Sequence, residues 1–237
     1  MPEPEVHLWT IDLGAAAAAV DGVDLLSADE RARAGRYASE RDRRRFIRRR
    51  SLLRRILAGY LGCPADAVAF VYGAHGKPSL APVVNSGDLR FSHSVTGDLA
   101  LIGVAHAREI GVDVEREDPA VDLEQVRRRT LSPAENDDLD RLPAVDRRGR
   151  FFTIWTLKEA ALKAIGTGLT VEPDQIEVRP ARAGSPPDWT LASSHPAIDA
   201  TRWRLRRVEV RAGHAAALAF EGAIAAEIVR RTIRDLT

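Results

Sequence analysis

Lysine is scarce in this chain, and its placement is the first pointer to chemistry. Of 35 lysines and arginines, lysine holds only positions 77, 158 and 163, and two of these lie in the run Trp155-Thr156-Leu157-Lys158-Glu159-Ala160-Ala161-Leu162-Lys163. Arginine is a rigid, permanently charged fork, whereas lysine is a compact charge whose pKa moves readily, so lysines kept in an arginine-rich chain are candidates for chemistry. Glu159 and Lys163 stand four residues apart and share a helix face, while Lys158 points about 100° away. A second group is the pair Asp113 and Glu115 in Ile110-Gly111-Val112-Asp113-Val114-Glu115. On a strand, Ile110, Val112 and Val114 face the core, and Gly111, Asp113 and Glu115 face the other way. Two carboxylates side by side repel each other. They are either ordinary solvent-facing residues or ligands of a divalent cation, since carboxylate, phosphate and water oxygens are the usual surroundings of Mg²⁺. Glu159 is the candidate third carboxylate.

Weaker signals surround these two groups. Gly73-Ala74-His75-Gly76-Lys77-Pro78 reads as a turn that projects the remaining lysine. In Phe91-Ser92-His93-Ser94 a hydroxyl and an imidazole suit phosphate contact as well as a structural role. Neighbours on a strand point to opposite faces, so Ser92 and His93 do not form a catalytic dyad. Twelve arginines fall between Arg31 and Arg55. A solvated helix face with ion pairs to Glu40 and Asp42 accounts for most of them and leaves a minority for phosphate. Nucleic-acid binding has little support. Tyr37, Phe46 and Tyr60 are spaced as core residues rather than as a stacking platform, and the net charge is only +1.

The elements that must position these groups follow from pattern. His7 to Leu13 alternates as an opening strand, with His7 as a strand residue, and the Ala15 to Ala19 run is a short helix or linker. Ser27-Ala28-Asp29-Glu30 is a capping-box pattern, and Ser39 opens a longer helix that buries Phe46, Leu53, Ile56, Leu57 and Tyr60 until Gly62 and Pro64 end it. Val68 to Tyr72, Leu89 to Ser94, Leu99 to Ala105 and Ile110 to Glu115 read as strands. A helical excursion with a capping signal at Ser132 to Glu135 leads into the Trp155 helix, where Trp155, Leu162 and Ile165 share the buried side and Gly166 caps the end. Gln175 to Arg179, Trp203 to Arg206, Val208 to Val210 and His214 to Phe220 are further strands. Pro180 to Asp188 is a loop, and Ile224 to Ile233 has helical apolar spacing. His195 and His214 are surface or edge residues. Element order gives two halves, each of helices followed by about three strands, with a hand-over near Ile110. With 237 residues and 45% hydrophobic content the chain can bury a sizeable core. Cys63 is alone and no uncharged run reaches membrane-spanning length, which points to a soluble protein of the reducing cytoplasm. There is no His or Cys metal cluster.

In their order and spacing, Gly76-Lys77-Pro78, Phe91-Ser92-His93-Ser94, Ile110 to Glu115, and Trp155 to Lys163 followed by Gly168-Leu169 resemble the motifs of the Sfp-type 4′-phosphopantetheinyl transferases. The likeness runs from about Ser27 to Leu169, and departs from the family pattern at Arg90, where many relatives carry Asn. It implies an α+β pseudo-dimer of two similar α/β halves, residues 1–108 and 109–237, with the active site in the cleft between them and metal-binding carboxylates on the second. It implies a holo-carrier-protein synthase that moves the 4′-phosphopantetheine arm of coenzyme A onto a serine of an apo acyl or peptidyl carrier protein, releasing adenosine 3′,5′-bisphosphate. Mg²⁺, or Mn²⁺, would sit on Asp113, Glu115 and Glu159. Glu159 would be the base, and Lys163 would hold phosphate oxygens. Coenzyme A would be held by Arg33, Arg36, Arg45, Lys77, Ser92 and His93, with Lys158 a further phosphate candidate. The resemblance also implies a cytoplasmic monomer that binds neither nucleic acid nor membrane, activates carrier proteins of secondary metabolite biosynthesis, and meets those acidic partners with its surplus arginines. Two other readings fit the residue types: a Mg²⁺-dependent nuclease or phosphatase, and a non-catalytic arginine-rich binding protein.

Overall fold

Alternation and capping signals set most of the elements. The computed structural model describes residues 5–14, 22–73, 75–85, 87–166, 168–181, 188–222 and 226–236. The opening alternation forms β1 (Glu5–Asp12). The Ser27 and Glu30 side chains make a reciprocal capping box at the start of α1 (Ala28–Ala34). Ser39 caps α2 (Glu40–Leu61), a 22-residue helix that stops where Gly62 takes left-handed backbone at φ 63°. A short hairpin follows, β2 (Phe70–Tyr72) and β3 (Pro78–Leu80), and then β4 (Leu89–Thr96), β5 (Leu99–His106) and β6 (Ile110–Arg116). The helical excursion comprises α3 (Leu123–Thr130), α4 (Pro133–Asp140) with its Ser132/Glu135 capping box, and α5 (Ala144–Ile165), also 22 residues and also ended by a left-handed glycine, Gly166. The chain closes with β7 (Ile176–Pro180), β8 (Asp188–Ser193), β9 (Trp203–Arg207), β10 (His214–Glu221) and β11 (Glu227–Arg231).

The fold is α+β and its two halves repeat. One sheet has the order β11-β1-β5-β4, the other β6-β10-β9-β8-β7, and β2-β3 stands as a separate pair. The triple β1-β5-β4 therefore matches β6-β10-β9, the hairpin β2-β3 matches β7-β8, and α2 matches α5. Three apolar clusters give the layering. Leu53, Ile56 and Leu57 of α2 pack on the first sheet, Leu157, Ala160 and Ala164 of α5 pack on the second, and Leu99, Leu101, Ile110, Val112, Val114 and Leu218 fill the space between the sheets. Ile110, Val112 and Val114 thus face the opposite sheet. The other face of β6 is not solvent but α5. A Cβ on Gly111 would lie 2.0 Å from the Ala160 carbonyl oxygen, so glycine is what lets helix and strand come so close.

Several expectations change. Within the Ile224 to Ile233 stretch, Glu227–Arg231 is a strand rather than a helix; it pairs parallel with β1, and the β-branched Ile228 and Val229 suit that pairing. Regular strand ends at Arg207, so Val208 to Val210 is irregular, while β8 lies where no strand was expected. On α5 the deeply buried stripe is Ile154, Leu157, Ala160, Ala161 and Ala164, with Trp155 and Ile165 only partly covered, because the close approach to β6 selects small residues for the contact face. The Ala15 to Ala19 run, most of the Pro180 to Asp188 loop and Ile224 lie outside the described residues.

Candidate active site

β4 and β6 are edge strands of different sheets. They lie against each other with no backbone ladder between them among the described residues. A bare strand edge presents N–H groups that need acceptors. The alternating hydroxyls of β4 serve this seam: Ser92 Oγ accepts from the Val112 N–H at 3.1 Å and Thr96 Oγ1 from the Arg116 N–H at 3.3 Å. Between them, Ser94 Oγ donates to Asp113 Oδ1 at 2.8 Å. α5 crosses the same place and brings Glu159 and Lys163. Lys163 Nζ donates to Asp113 Oδ1 at 2.6 Å and to Ser94 Oγ at 3.1 Å.

The resulting centre is short of positive charge. Burial raises the Glu159 pKa, with Asp113 adding to the rise and Lys163 opposing it. Glu115 is raised by burial first and then by Asp113 and Glu159, against Thr96 and Lys163. Asp113 Oδ2 is buried and has no hydrogen-bond partner among the described residues. The side chains do not converge as a cage: among the described residues no three of His, Cys, Asp and Glu form a metal-binding cluster. The Lys163 ammonium on Asp113 Oδ1 supplies the nearest countercharge. An oxygen-only donor set with an unsatisfied buried carboxylate oxygen is the chemistry a hard divalent cation fits.

A cavity of about 480 Å³ opens beside this centre, with Lys77, Phe91, His93, Glu159, Leu162 and Lys163 among its walls. Ser92 also lines it. His93 is held neutral, its pKa pushed down to about 3 by burial first and then by the cations Arg49, Arg50 and Lys163. Arg49, which the sequence reading did not single out, is the first of these cations. Burial and the like charges of Arg50 and Arg33 hold it below the ordinary arginine value, against the opposing influence of Tyr37. Its Nε is buried and has no partner among the described residues. The guanidinium lies over the Phe46 ring at 5.4 Å, with Arg33 over the same ring at 5.5 Å. The signal was present: Phe46, Arg49, Arg50, Leu53 and Leu57 follow the helical apolar period, so two arginines stand on the apolar face of α2, Arg50 buried and Arg49 half-buried. Arg50 is accounted for by its buried ion pair with Glu30, which Arg54 shares at 2.8 Å.

The other expected ligands fall in different places. Arg33 and Arg36 line a separate cleft with Tyr37, and the charges of Arg33 and Tyr37 act on Arg49. Arg45 is a correction: its Nε donates to Asp98 at 2.7 Å and it also pairs with Asp42, in a cleft shared with Leu13 and Gly14, so its charge is already neutralised away from the main cavity. Lys158 is a second correction. It is 0% exposed, and its Nζ meets Glu135 Oε2 at 2.5 Å, Thr130 O at 2.8 Å and Pro173 O at 2.9 Å, which leaves no donor for a phosphate. Lys77 walls the cavity with its stem, while Nζ donates to Glu109 Oε2 at 2.7 Å and to the Ala164 carbonyl at 3.1 Å. Arg90 holds the other Glu109 oxygen at 2.9 Å.

The family model for the 4′-phosphopantetheinyl transferase superfamily matches residues 109–219, and that for the 4′-phosphopantetheinyl transferase N-terminal region matches residues 16–107. The 4′-phosphopantetheinyl transferase HetI of Nostoc sp. is 40% identical over 79% of this chain and 81% of its own length. The 4′-phosphopantetheinyl transferase psf-1 of Bacillus pumilus is 30% identical over 61% of this chain and 60% of its own, and a 4′-phosphopantetheinyl transferase of Bacillus subtilis is 27% identical over 65% and 66%. A solved holo-(acyl-carrier-protein) synthase of Bacillus anthracis, in complex with CoA (3′,5′-ADP), aligns with 48% of this chain and 96% of that one at 24% identity and a TM-score of 0.40.

Proposed function

Because the chain belongs to the 4′-phosphopantetheinyl transferase superfamily, we propose that the β4–β6 seam and its cavity are the active site and that the side chains there divide the work as follows. The enzyme transfers the 4′-phosphopantetheine arm of coenzyme A to a serine of an apo carrier protein and releases adenosine 3′,5′-bisphosphate. The observation that carries the assignment is the ion pair of Lys163 from α5 with Asp113 from β6, with Glu159 and Glu115 in electrostatic reach of Asp113, beside a cavity with cationic and apolar walls. Asp113, Glu115 and Glu159 would hold a divalent cation, magnesium or manganese. When bound, the cation neutralises charge on the pyrophosphate oxygens and on the leaving group.

The chain's own residues do the rest. Glu159, carried by α5 to the seam one turn before Lys163, takes the proton of the carrier serine hydroxyl as that oxygen attacks the β-phosphorus. Lys163 donates to phosphate oxygens and fixes Asp113. Arg49, with Arg33 and Arg36 further out, holds the adenosine 3′-phosphate, and the neutral His93 and the Ser92 strand place the nucleotide. Phe91 and Leu162 supply apolar surface, and Lys77 keeps the 75–78 turn closed against α5. The halves divide at residues 1–108 and 109–237, within the short β5–β6 connection. Among the described residues no helix is long and apolar enough to cross a membrane. A cytoplasmic monomer is the separate expectation that the family resemblance implies.

The deciding experiment is to mix the protein with coenzyme A, Mg²⁺ and several apo carrier proteins and weigh each carrier. Gain of the phosphopantetheine mass is expected. Glu159→Gln should lower kcat by about 10²–10⁴ with a smaller change in the KM for coenzyme A; an unchanged kcat would remove Glu159 as the base.

A further inference from the structure

The three β4 hydroxyls that face the seam do not do the same job. Ser92 and Thr96 satisfy backbone N–H groups of β6, at Val112 and Arg116, as any residue closing a strand edge must. Ser94 serves a side chain instead. It is buried, its hydroxyl donates to Asp113 Oδ1 at 2.8 Å, and it accepts from Lys163 Nζ at 3.1 Å. A serine hydroxyl has one proton, so donation to Asp113 and acceptance from Lys163 fix its rotamer and its role together. Lys163 Nζ also reaches Oδ1 directly, at 2.6 Å. Two donors therefore load one oxygen of the carboxylate. The other, Oδ2, is buried with no partner among the described residues. The carboxylate is locked against rotation with one oxygen spent and one free.

We propose that Ser94, supplied by the N-terminal half, is a positioning residue that orients Asp113 of the C-terminal half so that Oδ2 alone is presented to the divalent cation. The inference rests on the reading of Asp113 as a cation ligand. Partners that hydrogen-bond a ligating carboxylate fix its orientation and its basicity, and their loss commonly weakens metal binding by about 10–100-fold. Without the hydroxyl, Lys163 alone holds Oδ1, and the carboxylate can turn Oδ2 away. The cation affinity of one half is thus set by a hydroxyl of the other, and any loosening of the seam weakens the site.

The test is a Mn²⁺ titration of the full chain in saturating coenzyme A, followed by electron paramagnetic resonance of free Mn²⁺. Ser94→Ala should bind Mn²⁺ about 10–100-fold more weakly than the wild type, Ser94→Thr should recover most of the loss, and kcat of Ser94→Ala should return toward wild type at saturating metal. A purely structural serine would lower the melting temperature of the metal-free protein and leave the Mn²⁺ affinity unchanged, which overturns the inference. Should Ser94→Ala fail to fold, Ser94→Cys, of similar size but a weak donor, carries the same comparison. Absence of saturable Mn²⁺ binding by the wild type would sink the cation reading itself. Equal binding by wild type and variant would sink only the role of Ser94.

Discussion

Lys158→Met separates a buried structural cation from a phosphate ligand. The side chain is 0% exposed, and its ammonium is held by Glu135 at 2.5 Å and by the carbonyls of Thr130 and Pro173 at 2.8 and 2.9 Å. Burial is the largest influence on Lys158 and lowers its pKa, with Glu135 opposing, so the charge sits there under a desolvation penalty that its partners only partly offset. Methionine keeps most of the volume and removes the charge. That relieves the penalty on the lysine but strands the Glu135 carboxylate, which would retain the Ser132 and Val178 N–H groups at 2.8 Å each. Removing one member of a buried pair costs about 3–5 kcal/mol. At roughly 2–4 °C per kcal/mol for a chain of this size, the melting temperature should fall by about 6–20 °C. Adding Glu135→Gln removes the stranded charge, so the double variant should be about 1–3 kcal/mol less destabilised than the sum of the singles. Pro173 lines the cavity, so the KM for coenzyme A should rise severalfold while kcat changes little. Thermal unfolding of the four proteins in the cycle, with steady-state kinetics, provides the measurement. An unchanged melting temperature with lost coenzyme A affinity would refute the reasoning and return Lys158 to the phosphate site.

Three further outcomes follow from the same geometry. Arg49→Ala should raise the KM for coenzyme A about 10–100-fold, the worth of one charged hydrogen bond, while Arg45→Ala, neutralised by Asp98 and Asp42, should change it less than about twofold; steady-state kinetics with varied coenzyme A decide between them. Burial alone would raise the Glu30 pKa, but the Ser27 N–H, Arg50 and Arg54 outweigh it and hold the group below 4.5. Its contribution to stability is therefore fully present above that value and is lost as pH falls through the lowered folded value, so urea titrations should show the wild type's advantage over Glu30→Gln shrinking only below about pH 4.5. Gly111→Ala would force β6 and α5 apart and should cost about 2–3 kcal/mol or more, visible in the urea midpoint, with activity falling because Glu159 and Lys163 move relative to Asp113.

Local rules carried a large part of the fold. The capping boxes at Ser27 and Ser132, the Ser39 cap and the left-handed glycines at 62 and 166 involve only residues near each other in the chain, and each appears in the structure as the spacing predicts. Period-two alternation likewise placed β1 and β6, and the unbroken apolar run Leu99 to Ala105 placed β5. Where the pattern was ambiguous, tertiary context decided. Glu227–Arg231 has a short apolar spacing that suits helix or strand, and the free edge of β1 selects the strand.

What the sequence by itself determined is the inventory of the proposed site: the carboxylate pair on one strand face, the Glu159–Lys163 turn and the Ser92-His93 pair of β4. Their types and spacings were readable because each set lies within a single element. What only the tertiary structure decided is which charges are already spent. Lys158 and Lys163 are five residues apart on one helix, yet the first is sealed among Glu135 and two carbonyls and the second reaches Asp113 at the seam. Arg45 and Arg49 are one helical turn apart, yet the first meets Asp98 and the second acts through its charge to lower the pKa of His93. The free energy of a charge depends on partners brought from distant parts of the chain and on the water they exclude, and neither is written into local spacing.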